Sequence, residues 1–150
     1  MSSEDEVRTA SARFYAGLNS MMAGDAAPLA DAWSHGASVS TMHPIGGRQT
    51  GWDEVRGSFE QVVQLASGGH GELRDQSIQV GGDLAYEVAI EQGQITLAGG
   101  QIAIEHRVTN VYRREAGGGR SSTTTPISLR RCWTSWAACR PRRHAAGRVR

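Results

Sequence analysis

At 150 residues, 39% of them hydrophobic, the chain makes one domain at most and is long enough to bury a core. The formal charge of +1 hides a division: residues 1–116 hold all 15 acids and 8 arginines, a net of −7, while residues 117–150 hold the other 8 arginines and no acid. Both cysteines, Cys132 and Cys139, lie in that tail, no apolar run approaches bilayer length, and "MSSEDEVR" is acidic; this excludes a disulfide framework in the body, a membrane span and a targeting peptide, with a cytoplasmic location expected.

Ser3-x-x-Glu6 has the form of a capping box opening a helix, with Val7, Ala10, Phe14, Leu18 and Met21 at helical spacing behind it. Gly24 ends that helix. Asp25 can cap a short second one whose buried side is Leu29, Ala32 and Trp33. "ASVSTMH" (37–43) alternates weakly and predicts a short strand ending at His43-Pro44, and "IGGRQTG" predicts a loop. Residues 52–66 form a second long helix with Val55, Phe59, Val62 and Val63 on one face, broken by "SGGHG".

Three strands are predicted after it. "ELRDQSIQV" (72–80) turns at Gly81-Gly82-Asp83 into "LAYEVAIEQ", where Leu84, Tyr86, Val88 and Ile90 share one face, taken as the core face, and Glu87 and Glu91 the other. Past Gly99-Gly100, residues Ile102, Ile104, His106, Val108, Asn110 and Tyr112 share a face of the third strand. Asn110 and His106 are expected to face the helices, with Glu105 and Arg107 turned away as a cross-strand ion pair. Helices first and an antiparallel meander after make an α+β fold.

The pattern fails after "IAIEHRVTNVYRRE". A return strand should follow, yet "EAGGGRSSTTTPISLRRCW" has no period. With GC-leaning codons, a one-base slip of reading frame near Gly117 turns residues 118–129 into "WTVVHHHPDLS", an alternating apolar strand, and the stretch to Cys139 into a short amphipathic helix. The body is therefore taken as 1–116 and the tail, 117–150, as a frameshifted segment. On that reading residues 121–125 make a degraded last strand, and 128–150 stay mobile or loosely helical. The competing reading is a genuine arginine tail for nucleic acid.

"RFYAGLN…GDAAPLADAWSHGASVSTMHPIGGRQTGWDEVRGSFE", followed by "GDLAYEV" and "HRVTNVYRRE", resembles the SnoaL-like proteins of the nuclear transport factor two-like superfamily, which also contains ketosteroid isomerase. The resemblance covers about residues 6–116. It implies a cystatin-like cone: a curved sheet wrapped around the N-terminal helices, an apolar pocket inside and a homodimer outside. Laid on ketosteroid isomerase, it puts Phe14 at the tyrosine donor position, His43 at the base position before a proline, and Asn110 at the second donor position. One donor is thus lost, one becomes an amide, and the base becomes an imidazole.

The candidate catalytic residues are His43 and Asn110. His43 is a general base, its unperturbed pKa being near neutrality, or a strand-end histidine bonded to backbone. Asn110 donates to a ligand oxygen or satisfies a neighbouring turn. Candidate ligand-binding residues are Phe14, Trp33, Trp52, Phe59, Tyr86, His106 and Tyr112, core residues first that a cone would also turn toward its cavity. Glu87 and Glu91 are expected to be solvated or dimer-facing. No metal and no cofactor are expected: the histidines are scattered and no phosphate-loop spacing accompanies the glycines. The predicted function is binding of a small, mostly apolar organic molecule, with isomerase-, cyclase- or hydrolase-type proton transfer; the alternative is a noncatalytic binding or dimerisation module. Neither membrane nor nucleic acid is an expected partner.

Overall fold

The computed structural model describes residues 2–42, 47–114 and, as backbone, 127–134. Helix α1 spans Ser3–Met22. Its capping box sits one residue earlier than the sequence pattern suggested: Ser2 Oγ accepts from the Asp5 amide, and the Asp5 carboxylate accepts from the Ser2 amide. The hydrogen bond from the Ser2 side chain, then that from its backbone, holds the Asp5 carboxyl below its ordinary value. The buried face of α1 includes Val7, Ser11, Phe14, Tyr15, Leu18 and Met22.

Helix α2, Ala27–Asp31, follows a turn at Gly24, and the Asp25 carboxylate accepts from the Ala27 amide at 3.0 Å. It crosses α1 closely: a Cβ on Gly17 would lie 2.6 Å from Leu29 Cα, so only glycine permits the approach that buries Leu29 completely. Helix α3, Trp52–Leu65, buries Val55 and Phe59 and packs Val62 and Val63 against the same core.

Among the described residues the sheet has six strands: β1 Ser40–Met42, β2 Arg48–Thr50, β3 Ala66–Gly81, β4 Leu84–Leu97, β5 Gly100–Arg114 and β6 Ile127–Thr134. Their order is β2-β1-β6-β5-β4-β3, antiparallel throughout except where β1 meets β6. Two bulges interrupt β3. Between Arg74 and Ser77 the strand gains a residue on β4, with Asp75 at φ 53°, so that Leu73 before it and Ile78 after it both reach the core. Among the described residues no helix is long and apolar enough to cross a membrane.

Several expectations change. The helix does end before "SGGHG", at Leu65, but those residues form the start of β3 rather than a loop, and the "RQT" of the predicted loop is β2. Strand β1 is shorter than 37–43. A last strand does form beside β5, over Ile127–Thr134. Residues 128–134 are therefore paired into the sheet, contrary to the expectation of a mobile stretch; ladder bonds are made by backbone and need no apolar alternation. Residues 121–125 and 135–150 lie outside the described residues.

The largest correction concerns β4. Alternation was read correctly, but its faces are exchanged. Glu87 and Glu91 are 0% and 1% exposed, whereas Leu84 is 47%, Tyr86 48% and Val88 39% exposed. On the inner face, Ala85, Glu87, Ala89 and Glu91 alternate small residues with acids. Helix α1 sets Ser11 and Tyr15, one turn apart, against Glu87 and Glu91, four residues apart on the strand. Hydrogen bonding, not hydrophobicity, decides which side of β4 faces in.

Candidate functional site

Between the helices and the sheet lies a cavity of about 270 Å³. Helix α1 lines it with Phe14, Leu18, Met21 and Met22; Leu29 and Trp33 come from α2 and the turn after it, and Phe59 and Val62 from α3. The sheet contributes Thr41 from β1, Glu91, Ile95 and Leu97 from β4, and Ile102, Ala103, Ile104 and His106 from β5. The Trp33 ring sits 5.6 Å from Phe14 and 5.4 Å from Phe59, centroid to centroid, which makes a rigid aromatic wall. Among the described residues the lining is apolar except at Thr41, Glu91, His106 and the indole of Trp33.

Two of those polar groups stand together. Glu91 and His106 are direct cross-strand partners in the β4–β5 ladder, and both line the cavity. Residues so paired have Cβ atoms about 4.5–5.5 Å apart, within reach of one small ligand. Tyr15 Oη donates to Glu91 Oε2 at 3.0 Å and fixes the carboxylate against α1. Burial lowers the His106 pKa below its ordinary 6.5, so its imidazole is neutral at physiological pH and can accept a proton. A buried carboxylate beside a neutral imidazole can take a proton from one atom of a bound molecule and return it to another.

A second buried carboxylate lies along β4, outside this lining. Glu87 accepts from Ser11 Oγ at 2.7 Å, from Gln76 Nε2, from Asn110 Nδ2 at 2.7 Å and from Tyr112 Oη at 2.8 Å. Four donors on two oxygens is the environment of an acceptor-only carboxylate. Tyr112 is pushed well above its ordinary value near 10, by burial first and then by the charge of Glu87, so its phenol remains a donor.

Of the sequence candidates, Phe14, Trp33, Phe59 and His106 line the cavity. Asn110 is buried as expected, but its amide serves Glu87. Tyr112 is buried and also serves Glu87, away from the cavity. Trp52 is half-buried, its ring stacked on His35 at 4.0 Å, and does not line the cavity. Tyr86 is on the outer face and about half exposed, which removes it from the site; odd-numbered residues of β4 face in, even-numbered ones out. Glu105 and Arg107 are exposed on the outer side. His43 lies outside the described residues. Sequence reasoning missed Thr41 and Glu91. The signal for Glu91 was its register with His106 once the hairpin at Gly99-Gly100 is closed.

A family profile described as SnoaL-like domain matches residues 7–120. No curated protein matches the chain in sequence. Among solved structures, an NTF2-like family protein from Streptomyces avermitilis is 22% identical with a TM-score of 0.68, over 87% of this chain and 95% of that one. An NTF2-like superfamily protein from Salmonella enterica serovar Typhimurium is 13% identical with a TM-score of 0.67, over 89% and 92%. A Catenulispora acidiphila protein in complex with S-DNPA is 12% identical with a TM-score of 0.62, over 87% and 90%.

Proposed function

The chain belongs to the SnoaL-like domain family, and on that premise we propose that it holds one small, mostly apolar organic molecule in the cavity between its helices and sheet. The observation that carries this reading is the pairing of Glu91 with His106 on the wall of an otherwise apolar cavity. An apolar chamber with a few convergent polar groups is the usual form of a small-molecule site. The Glu91–His106 pair supplies acid–base chemistry at one spot, with Tyr15 orienting the carboxylate. Asn110 acts through Glu87, holding the inner face of β4 in place, and does not polarise the ligand. His43 follows β1 in the chain and is the second candidate base; His43→Ala and His106→Ala, assayed separately once a substrate is found, decide between them.

The outer face of the sheet favours a second role beside the first. Leu84, Tyr86 and Val88 on β4 are each 39% exposed or more. Covering such a stripe with a second copy gives a homodimer through the outer face, with the cavity of each copy left open.

Fluorescence titration with N-phenyl-1-naphthylamine tests the cavity. Wild type should bind one equivalent saturably, and Ile104→Trp, which fills the chamber, should not, while its circular dichroism spectrum is unchanged. Equal binding by the two proteins refutes the cavity as the site.

A further inference from the structure

Trp33 and Thr41, 4% and 1% exposed, both line the cavity, and among the described residues neither Trp33 Nε1 nor Thr41 Oγ1 has a hydrogen-bond partner. Buried polar atoms are nearly always satisfied, so an orphan asks for a cause. Two orphans on the residues of one cavity ask for a shared one. The indole nitrogen can only donate, and the threonine hydroxyl can donate. What answers both is an acceptor oxygen. The orphan atoms of residues away from the cavity, Gln49 Oε1 and Asn110 Oδ1, are by contrast acceptors.

Resting on the reading of the cavity as a ligand site, we infer that its ligand is an uncharged molecule with a hydrogen-bond-accepting oxygen, of carbonyl or ether type, held by Trp33 Nε1–H and Thr41 Oγ1–H. The placement gives the ligand a direction. In the sheet, β6 separates β1 from β5, and β6 and β5 together separate β1 from β4. At a strand spacing of about 4.8 Å, Thr41 stands roughly 10 Å from the His106 strand and roughly 14 Å from the Glu91 strand. The accepting oxygen is therefore fixed at the β1 end, and the opposite end of the molecule meets the carboxylate and imidazole. An anion is disfavoured by the buried Glu91 carboxylate. A protonated amine would seek Glu91 and leave the Trp33 N–H unanswered, because an ammonium group has no lone pair with which to accept.

Three probes of one shape test this: 1-indanone, indane and 1-aminoindane, titrated calorimetrically into the full chain. Wild type should bind the ketone roughly tenfold more tightly than the hydrocarbon, the affinity equivalent of one net hydrogen bond. Thr41→Val and Trp33→Phe should each reduce that preference severalfold while leaving indane affinity within about twofold. Thr41→Val, the same shape without the hydroxyl, decides the matter if Trp33→Phe does not fold. Indane binding as tightly as indanone, aminoindane binding more tightly than either, or an undiminished ketone preference in Thr41→Val overturns this inference and leaves the cavity as a ligand site. Failure of all three probes to bind wild type overturns the cavity reading and this inference with it.

Discussion

Replacing Glu87 with Leu preserves bulk and deletes one acceptor group that four side chains share. At about 1–3 kcal/mol for each buried donor left unpaired, a simple sum gives about 4–12 kcal/mol. That sum overstates the loss. Gln76 keeps Ser11 as a partner at 3.5 Å, and Gln76 is only partly buried, so water reaches it. Ser11, Asn110 and Tyr112 are 2%, 0% and 1% exposed; the Ser11 and Tyr112 hydroxyls also meet each other and can pair, which leaves two buried donors without an acceptor. The expected cost is therefore about 2–6 kcal/mol, set against domain stabilities of about 5–15. At about 3 °C per kcal/mol for a chain of this size, the thermal midpoint falls by roughly 6–18 °C. Glu87→Gln should cost less. It keeps one acceptor oxygen, and the Asn110 amide can turn its Oδ1, which lacks a hydrogen-bond partner among the described residues, toward the new N–H. Thermal melts followed by circular dichroism, with urea titrations for the slope, measure both variants. A Glu87→Leu protein melting within 2 °C of wild type (roughly the effect of half a kcal/mol), or a Gln variant weaker than the Leu variant, refutes the reasoning.

Gly17→Ala should destabilise by about 1–3 kcal/mol in urea unfolding, despite the helix propensity it gains, because its Cβ meets the Leu29 backbone at 2.6 Å. Burial lowers the His106 pKa, so the unfolded chain binds that proton more readily; stability should be lost as pH falls through 6.5 toward the folded value, and His106→Gln should flatten that slope in pH-dependent melts. Val88→Arg puts a charge on the outer stripe and should shift sedimentation from dimer to monomer with the melting curve of the monomer unchanged.

The helices were legible because their apolar positions recur at helical spacing and glycines mark their ends, as Val55 to Val63 and Gly24 illustrate. The strands were legible as strands, and β5 also in its facing, since its hydrophobic residues and His106 do face in. Strand β4 misled because its outer residues are the more hydrophobic. Leu84, Tyr86 and Val88 look like a core until Ser11 and Tyr15 are seen to hold Glu87 and Glu91 inside. Such a decision rests on a contact between residues 76 positions apart, which no local pattern contains. The site was half legible for the same reason. Phe14, Trp33, Phe59 and His106 announce themselves by type and period, whereas Glu91 enters only through its partners. Asn110 was found as a buried amide, but its role depends on Glu87 across the ladder. The sixth strand could not be read from "ISLRRCWT", because its place in the sheet comes from pairing with β5 and β1 and not from alternation.

The occupancy of the cavity can be read most directly from its methionines. Met21 and Met22 line it, whereas Met42 is 38% exposed and does not. With the methionine methyl groups labelled with carbon-13, titration of 1-indanone or of N-phenyl-1-naphthylamine should shift the Met21 and Met22 resonances saturably, at one equivalent, and leave Met42 where it is. Shifts at Met42 with Met21 and Met22 unmoved, or no saturable shift at any of the three, would contradict a ligand site between the helices and the sheet.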